Sequence, residues 1–197
     1  MYSKIQDYLS EKNVQKIAWL LLATGIVYRI ILWWQNRGLF IDEANLARNI
    51  YERNFFGLAK PLTYEQFAPP VFLWITKLNT IFFGFDERVL RLFPLFSGIA
   101  SLFLFYKIAK EFISFKSLWY PLALFATGAL YLRYSTEFKQ YMPDALVSLL
   151  LLYTAIKLHV LKSSGIRFSL IWIVLGSVAI WTSMPSVFIL TAFGFYY

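Results

Sequence analysis

Apolar residues in this chain come in long uninterrupted runs. Charge-free runs cover Leu92–Tyr106, Ser117–Leu132, Ala145–Ile156 and Phe168–Tyr197, and a further run, Ile17–Trp34, is broken only by Arg29. With flanking residues that snorkel, each run supplies the roughly 17–25 residues that a tilted helix needs to cross hydrocarbon, which predicts about five crossings and the start of a sixth. The period-two alternation of a transmembrane barrel is absent, so helices are what can satisfy the backbone in lipid. The expected fold class is an all-α integral membrane protein with about 5–6 transmembrane helices, built as a single membrane domain over residues 1–197.

Composition supports the same reading. The chain is 59% hydrophobic and 20% aromatic but only 15% charged, against roughly a quarter charged in soluble domains. The formal charge of +8 does not point to nucleic acid, because the basic residues stand singly between apolar runs and form no stripe. There is no cysteine, which excludes disulfides and thiolate metal sites. Lys4, Asp7, Glu11 and Lys12 make the start too charged for a signal peptide, so Ile17–Trp34 is expected to be a retained anchor.

The charges orient the chain. Pro70–Phe83 has only 14 residues, near 21 Å at helical rise, too short for the hydrocarbon core. Thr76, Lys77, Asn79 and Thr80 gather on one side of its helical wheel, with Val71, Trp74, Ile75, Leu78, Ile81 and Phe82 on the other. That pattern predicts a helix lying along the interface. With that segment flat, nine basic residues (Lys4, Lys12, Lys16, Lys107, Lys110, Lys116, Lys157, Lys162, Arg167) and three acidic ones (Asp7, Glu11, Glu111) fall on the cytoplasmic side. Were Pro70–Phe83 a crossing, this bias would collapse. The reading places the amino terminus in the cytoplasm, with a bacterial inner membrane as the expected location. Phe40–Ile50 (FIDEANLARNI) and Arg133–Asp144 (RYSTEFKQYMPD) then share one extracytoplasmic face.

Those two segments hold the candidate chemistry. Asp42 and Glu43 open an amphipathic stretch, Glu43–Phe56, stopped at Gly57. Helix capping and dipole complementarity explain the pair as well as catalysis does. Glu137, Lys139, Tyr141 and Asp144 cluster ahead of an apolar helix. For Glu137, Lys139 and Tyr141 to serve one site, the stretch before Pro143 has to leave regular helix, since Lys139 would sit about 160° from Tyr141 on a wheel. Arg88, Arg91 and Arg29 lie near the membrane edge, where a guanidinium fork suits a phosphate. Glu65 joins Glu43 as a candidate ligand for a hard divalent cation such as magnesium or manganese. His159 lies away from the cleft and is given no role, and Ser183-Met184-Pro185 either kinks a helix or turns between two.

The ordered set of one crossing, Asp42-Glu43, a Pro-Pro amphipathic helix, an arginine-bearing crossing and a polar motif ending in Asp144 resembles the amino-terminal part of the GT-C glycosyltransferases. In particular it is similar to the polyprenyl-phosphate-sugar-dependent branch that includes the protein O-mannosyltransferases and the lipid A aminoarabinose transferase. Phe40–Ala47, Ala68–Trp74, Val89–Gly98 and Leu132–Leu152 carry the resemblance. It implies Asp42 as general base for an acceptor hydroxyl, with inversion, and Glu43 as a supporting residue, through a metal or without one. Arg91 matches an arginine on the donor-phosphate side, and the first outer loop would hold two juxtamembrane amphipathic helices. Phe67-Ala68 stand where the aminoarabinose branch has Glu-Lys, so Glu65 and Lys139 are the substitutes proposed here. Donor-phosphate binding is thus expected at Arg91, Arg88 and Lys139, with Glu137, Tyr141 and Asp144 in support. The implied partners are a polyprenyl-phosphate sugar, lipid and further membrane subunits, and no nucleic acid. The chain is shorter than such enzymes and is expected to be an incomplete module. The alternative is a non-catalytic membrane scaffold or accessory subunit that keeps half of the fold.

Overall fold

The computed structural model describes residues 11–160 and 166–196, without the side chains of 159–160, 167–168 and 194–196. The expectations for Lys4, Asp7 and Lys162, and for the side chains of His159 and Arg167, therefore lie outside the described residues. The first apolar run forms α1, Glu11–Trp34, and the second forms α6, Leu92–Phe112. The two pack antiparallel. Trp19 lies against Tyr106 at 6.2 Å between ring centroids, while at the other end the Trp33 indole donates 2.9 Å to the Arg88 carbonyl. Everything between them, namely α2 (Ile41–Glu52), α3 (Phe55–Leu58), α4 (Pro70–Phe83) and α5 (Glu87–Leu90), is gathered at that second end.

The third apolar run does not make one helix. After a 3₁₀ turn at Phe115–Ser117 it forms α7, Trp119–Thr127, and α8, Ala129–Ser135, separated by Gly128 with extended backbone (φ −61°, ψ 128°). A Cβ at Gly128 would meet the Leu124 carbonyl at 2.4 Å, so the break is built around a residue without a side chain. The expected unbroken crossing over Ser117–Leu132 is corrected accordingly. α7 packs parallel to α1 in a core of Ala18, Leu22, Leu102, Leu122, Phe125 and Ala126.

α9, Tyr141–Val160, returns antiparallel to α6. Lys157 pairs with Glu111 at 3.0 Å and Lys107 lies over the Tyr153 ring, whereas Phe93 and Pro143 line one pocket at the opposite end. α10, Ile166–Thr182, and α11, Ser186–Tyr196, form an antiparallel hairpin with Trp172 against Phe193 at 5.3 Å. Ser183-Met184-Pro185 is therefore the turn between two helices. The described residues contain no strand. Three helices, Glu11–Trp34, Leu92–Phe112 and Tyr141–Leu158, are long and apolar enough to cross a membrane.

α4 has the bounds read from the sequence, with Pro70 at its first position and Gly84 (φ 87°) closing it. Its surroundings differ from expectation. The side carrying Thr76 and Lys77 packs inward: Thr76 is fully buried, and Lys77 Nζ donates 2.6 Å to the Ile50 carbonyl at the end of α2. Leu78, Ile81, Phe82 and Phe83 are exposed. A lysine closing a helix C-terminus satisfies an orphan carbonyl and complements the dipole.

Candidate functional site

Arg37 to Phe40 lead out of α1, and α2 begins at Ile41 with Phe40 as its N-cap residue. Glu43 sits at the third helical position and turns back to accept the Phe40 N–H at 3.0 Å, the carboxylate half of a capping box. Asp42 is thus not the cap. α2 also ends earlier than expected, at Glu52. Gly57 lies inside the separate helix α3, whose cap is Asn54, accepting the Gly57 N–H at 2.8 Å. Leu46 and Ile50, on the apolar side of α2, are fully buried with Leu58, Phe72, Leu73 and Leu90.

Glu43 is the centre of the end of the bundle where α2 to α5 gather and has no exposed surface. One oxygen, Oε2, accepts from Arg37 at 2.9 Å, from Phe40 N, and from the Arg91 guanidinium at 3.2 Å. The other, Oε1, accepts from Arg91 Nε at 3.3 Å and from the Phe138 backbone N–H. Burial raises the pKa of this carboxyl. The N–H groups of Phe40 and Phe138 and the Arg91 guanidinium outweigh burial and hold it below the usual carboxylate range. Arg91 is 1% exposed and spends its remaining donors on the carbonyls of Arg37 (2.6 Å) and Gly38 (3.3 Å).

Two expected site residues lie in a different setting from the expected one. Glu43 has both oxygens bonded, to five donors, and no exposed surface. Arg91 is enclosed, with four of its five N–H groups bonded. Both hold this end of the fold together. Glu65, the other expected metal ligand, is exposed, with φ 54°, and makes no hydrogen bond or ion pair. Among the described residues no group of three or more His, Asp or Glu side chains is arranged to hold a metal.

The contact between Glu43 and Phe138 does what the topology required. It joins the loop after α1 to the segment after α8 and brings Asp42 and Glu137, each one residue from the joint, to one face. Residues 136–140 are non-helical, as the shared-site argument demanded. Glu137 is nearly buried and takes Arg133 Nε at 3.0 Å, and the Arg133 guanidinium, largely exposed, lies over the Phe40 ring. Tyr141 packs against Tyr134 at 4.6 Å and stands within electrostatic reach of Glu137, Asp42 and Arg133. Asp42 itself is exposed, with no hydrogen bond or ion pair.

Around this group, Lys139 Nζ donates 2.9 Å to Gln66, and Gln140 reaches the Phe67 carbonyl at 3.4 Å. The segment ahead of Pro69-Pro70 is thereby tied to the 136–140 loop. Asp144 lies deeper, within the first turn of α9, with its Oδ1 buried beside Ser183. Arg88 is elsewhere. It lines an open groove with Trp33, Asn79, Phe83 and Phe96, and none of Asp42, Arg133, Glu137 or Tyr141 lines that groove. The sequence reading missed Arg37 and Arg133. Arg133 was detectable, since it stands four residues before Glu137, the spacing of a helical ion pair.

Comparison with known proteins gives no match: no family description fits the chain, and neither a curated protein nor a solved structure is similar to it.

Proposed function

We propose that this chain is a membrane glycosyltransferase of GT-C type. It moves a sugar from a polyprenyl-phosphate donor to an acceptor hydroxyl on the extracytoplasmic face of a bacterial inner membrane, with inversion. The observation that carries the reading is the Glu43–Phe138 hydrogen bond, which leaves Asp42 free and exposed beside Glu137, Tyr141 and Arg133. Asp42 takes the acceptor proton. Rigid support by a neighbouring buried network is what a general base needs. The departing lipid phosphate gains negative charge and requires cations. Arg133, Arg37 and Lys139 are those with exposed surface in this group. The lysines at the opposite end of the bundle, Lys107, Lys110, Lys116 and Lys157, support a cytoplasmic amino terminus and five to six crossings.

The test is transfer from labelled polyprenyl-phosphate sugars in purified membranes. Asp42→Asn should lower the rate by about 10²-fold or more, the scale of a lost general base, with normal membrane insertion. Near wild-type transfer in that variant would remove Asp42 from the role. The second reading, a non-catalytic scaffold, draws support from the self-sufficiency of the Glu43 network, which needs no ligand for its satisfaction. It predicts no transfer from any donor by the unaltered chain.

A further inference from the structure

The groove that holds Arg88 opens between the end of α1, α4 and the start of α6. Its volume is about 610 Å³, within the roughly 300–1,000 Å³ of small-ligand sites. Its walls divide by chemistry. Phe83, Val89, Leu92 and Phe96 form an apolar flank, and Phe83 and Phe96 are largely exposed. Asn79, Asp86 and Arg88 form the polar end, beside Trp33. Tryptophans at the end of a membrane-crossing helix mark the headgroup level of a bilayer, so the polar end of this groove lies at phosphate depth and its flank at acyl depth.

The polar groups there are under-used. Arg88 Nε stands 3.5 Å from Asp86 Oδ1, an oxygen that also caps α5 by accepting the Arg88 N–H at 2.9 Å; the side chains are 37% and 47% exposed, and so exposed a pair holds weakly. The guanidinium also lies over the Trp34 ring at 5.5 Å. The Asn79 side chain lines the groove and makes no hydrogen bond. A cation and an anion side by side, with a spare amide, complement a zwitterion of the same span. We propose that this groove binds the phosphoethanolamine headgroup of a bilayer lipid, with phosphate on Arg88, ammonium on Asp86 and an acyl chain along Leu92 and Phe96. A primary ammonium donates hydrogen bonds to a carboxylate, whereas a choline has no donor and a glycerol headgroup no cation. This inference is independent of the transferase reading, since the groove shares no residue with the Asp42 group.

The test uses the full chain in nanodiscs of equimolar phosphatidylethanolamine, phosphatidylglycerol and phosphatidylcholine, with retained lipids counted by class in native mass spectrometry. The unaltered chain should retain phosphatidylethanolamine over both others. Arg88→Gln should lower its retention about tenfold, the value of one charge-assisted contact. Asp86→Asn keeps the acceptor that caps α5, so the fold is retained, and it should shift retention toward phosphatidylglycerol. Equal retention of the three classes by the unaltered chain, or an Arg88→Gln profile identical to it, would overturn the proposal.

Discussion

Arg29 is the most informative residue to perturb, because a cation wholly enclosed in the first membrane helix is held by neutral groups. Its guanidinium donates to the carbonyls of Gly25 and Ala126 (each 2.9 Å) and Phe125 (3.2 Å), and to Ser135 Oγ (3.0 Å). The Phe125 and Ala126 carbonyls lie in the last turn of α7, where the break at Gly128 has removed their intrahelical donors. In hydrocarbon no water replaces those donors. Arg29 therefore closes the end of a broken membrane helix from across the bundle.

Arg29→Met leaves those two carbonyls bare. The Gly25 carbonyl keeps its own helical partner, and Ser135 Oγ still donates to the Tyr131 carbonyl. Each bare buried acceptor costs ~1–3 kcal/mol, so the expected loss is ~2–6 kcal/mol. Ser135→Ala removes two bonds, the one from Arg29 Nε and the one to the Tyr131 carbonyl, and bares one N–H but no carbonyl, which sets its loss at ~1–2 kcal/mol, below that of Arg29→Met. Unfolding of the purified chain in mixed micelles by increasing sodium dodecyl sulfate measures both, and hydrogen exchange over residues 125–131 reports whether the break has frayed. An Arg29→Met loss no larger than that of Ser135→Ala would refute the assignment of Arg29 as the closing group.

Glu43→Ala should destabilise by ~3–5 kcal/mol, since it strands a buried arginine, and the loss should show in the yield of folded protein. Because the folded pKa of Glu43 is depressed, its stabilisation is present above the unfolded carboxyl pKa and fades as pH falls through the folded value. Acid titration of stability should therefore flatten in Glu43→Gln. Gly98→Ala would place a Cβ 2.2 Å from Ser135 Oγ and 3.2 Å from Arg29 Nε. An overpacking loss of ~1–3 kcal/mol is expected in the same micelle assay.

The elements that could be read from the sequence are those whose signals are local. Pro69-Pro70, an amphipathic stretch and Gly84 define α4 without reference to any other part of the chain. The non-helical 136–140 segment was expected only on the premise that Glu137, Lys139 and Tyr141 serve one site, because the three cannot share a face of one helix. The break in the third apolar run was marked only by Gly128, and a glycine in an apolar helix is common enough to pass unnoticed. Asn54 was a legible cap for Gly57, but continuity of the amphipathic pattern masked it.

The roles of Glu43 and Arg91 could not be read, for a different reason. Their partners are largely backbone groups: the N–H of Phe138 and of Phe40, and the carbonyls of Arg37 and Gly38. A backbone donor ninety-five residues away leaves no mark in side-chain chemistry. An acidic residue beside Asp42 thus looks equally suited to catalysis and to framework, and burial alone separates the two.

The two buried arginines then divide one task. Arg91, outside the membrane core, meets a carboxylate, and that carboxylate grips Phe138 from the loop side. Arg29, enclosed within the bundle, meets only dipoles, which spares the fold a buried counter-ion there, and grips Ser135 three residues earlier from the bundle side. The segment between them carries Glu137 and follows Arg133, so it is anchored from both sides beside Asp42, with the Glu137 carboxylate nearly buried and the Arg133 guanidinium largely exposed. A site held this way tolerates changes at its exposed charges and fails when its hidden ones are touched. Asp42→Asn should accordingly leave stability within about 0.5 kcal/mol, as surface substitutions do, and Arg133→Gln, which keeps an amide donor for the nearly buried Glu137, should cost no more than ~1 kcal/mol. Arg29→Met and Glu43→Ala should cost more. Equal losses from all four would mean that the exposed group is framework as well, and that its placement beside Tyr141 serves packing.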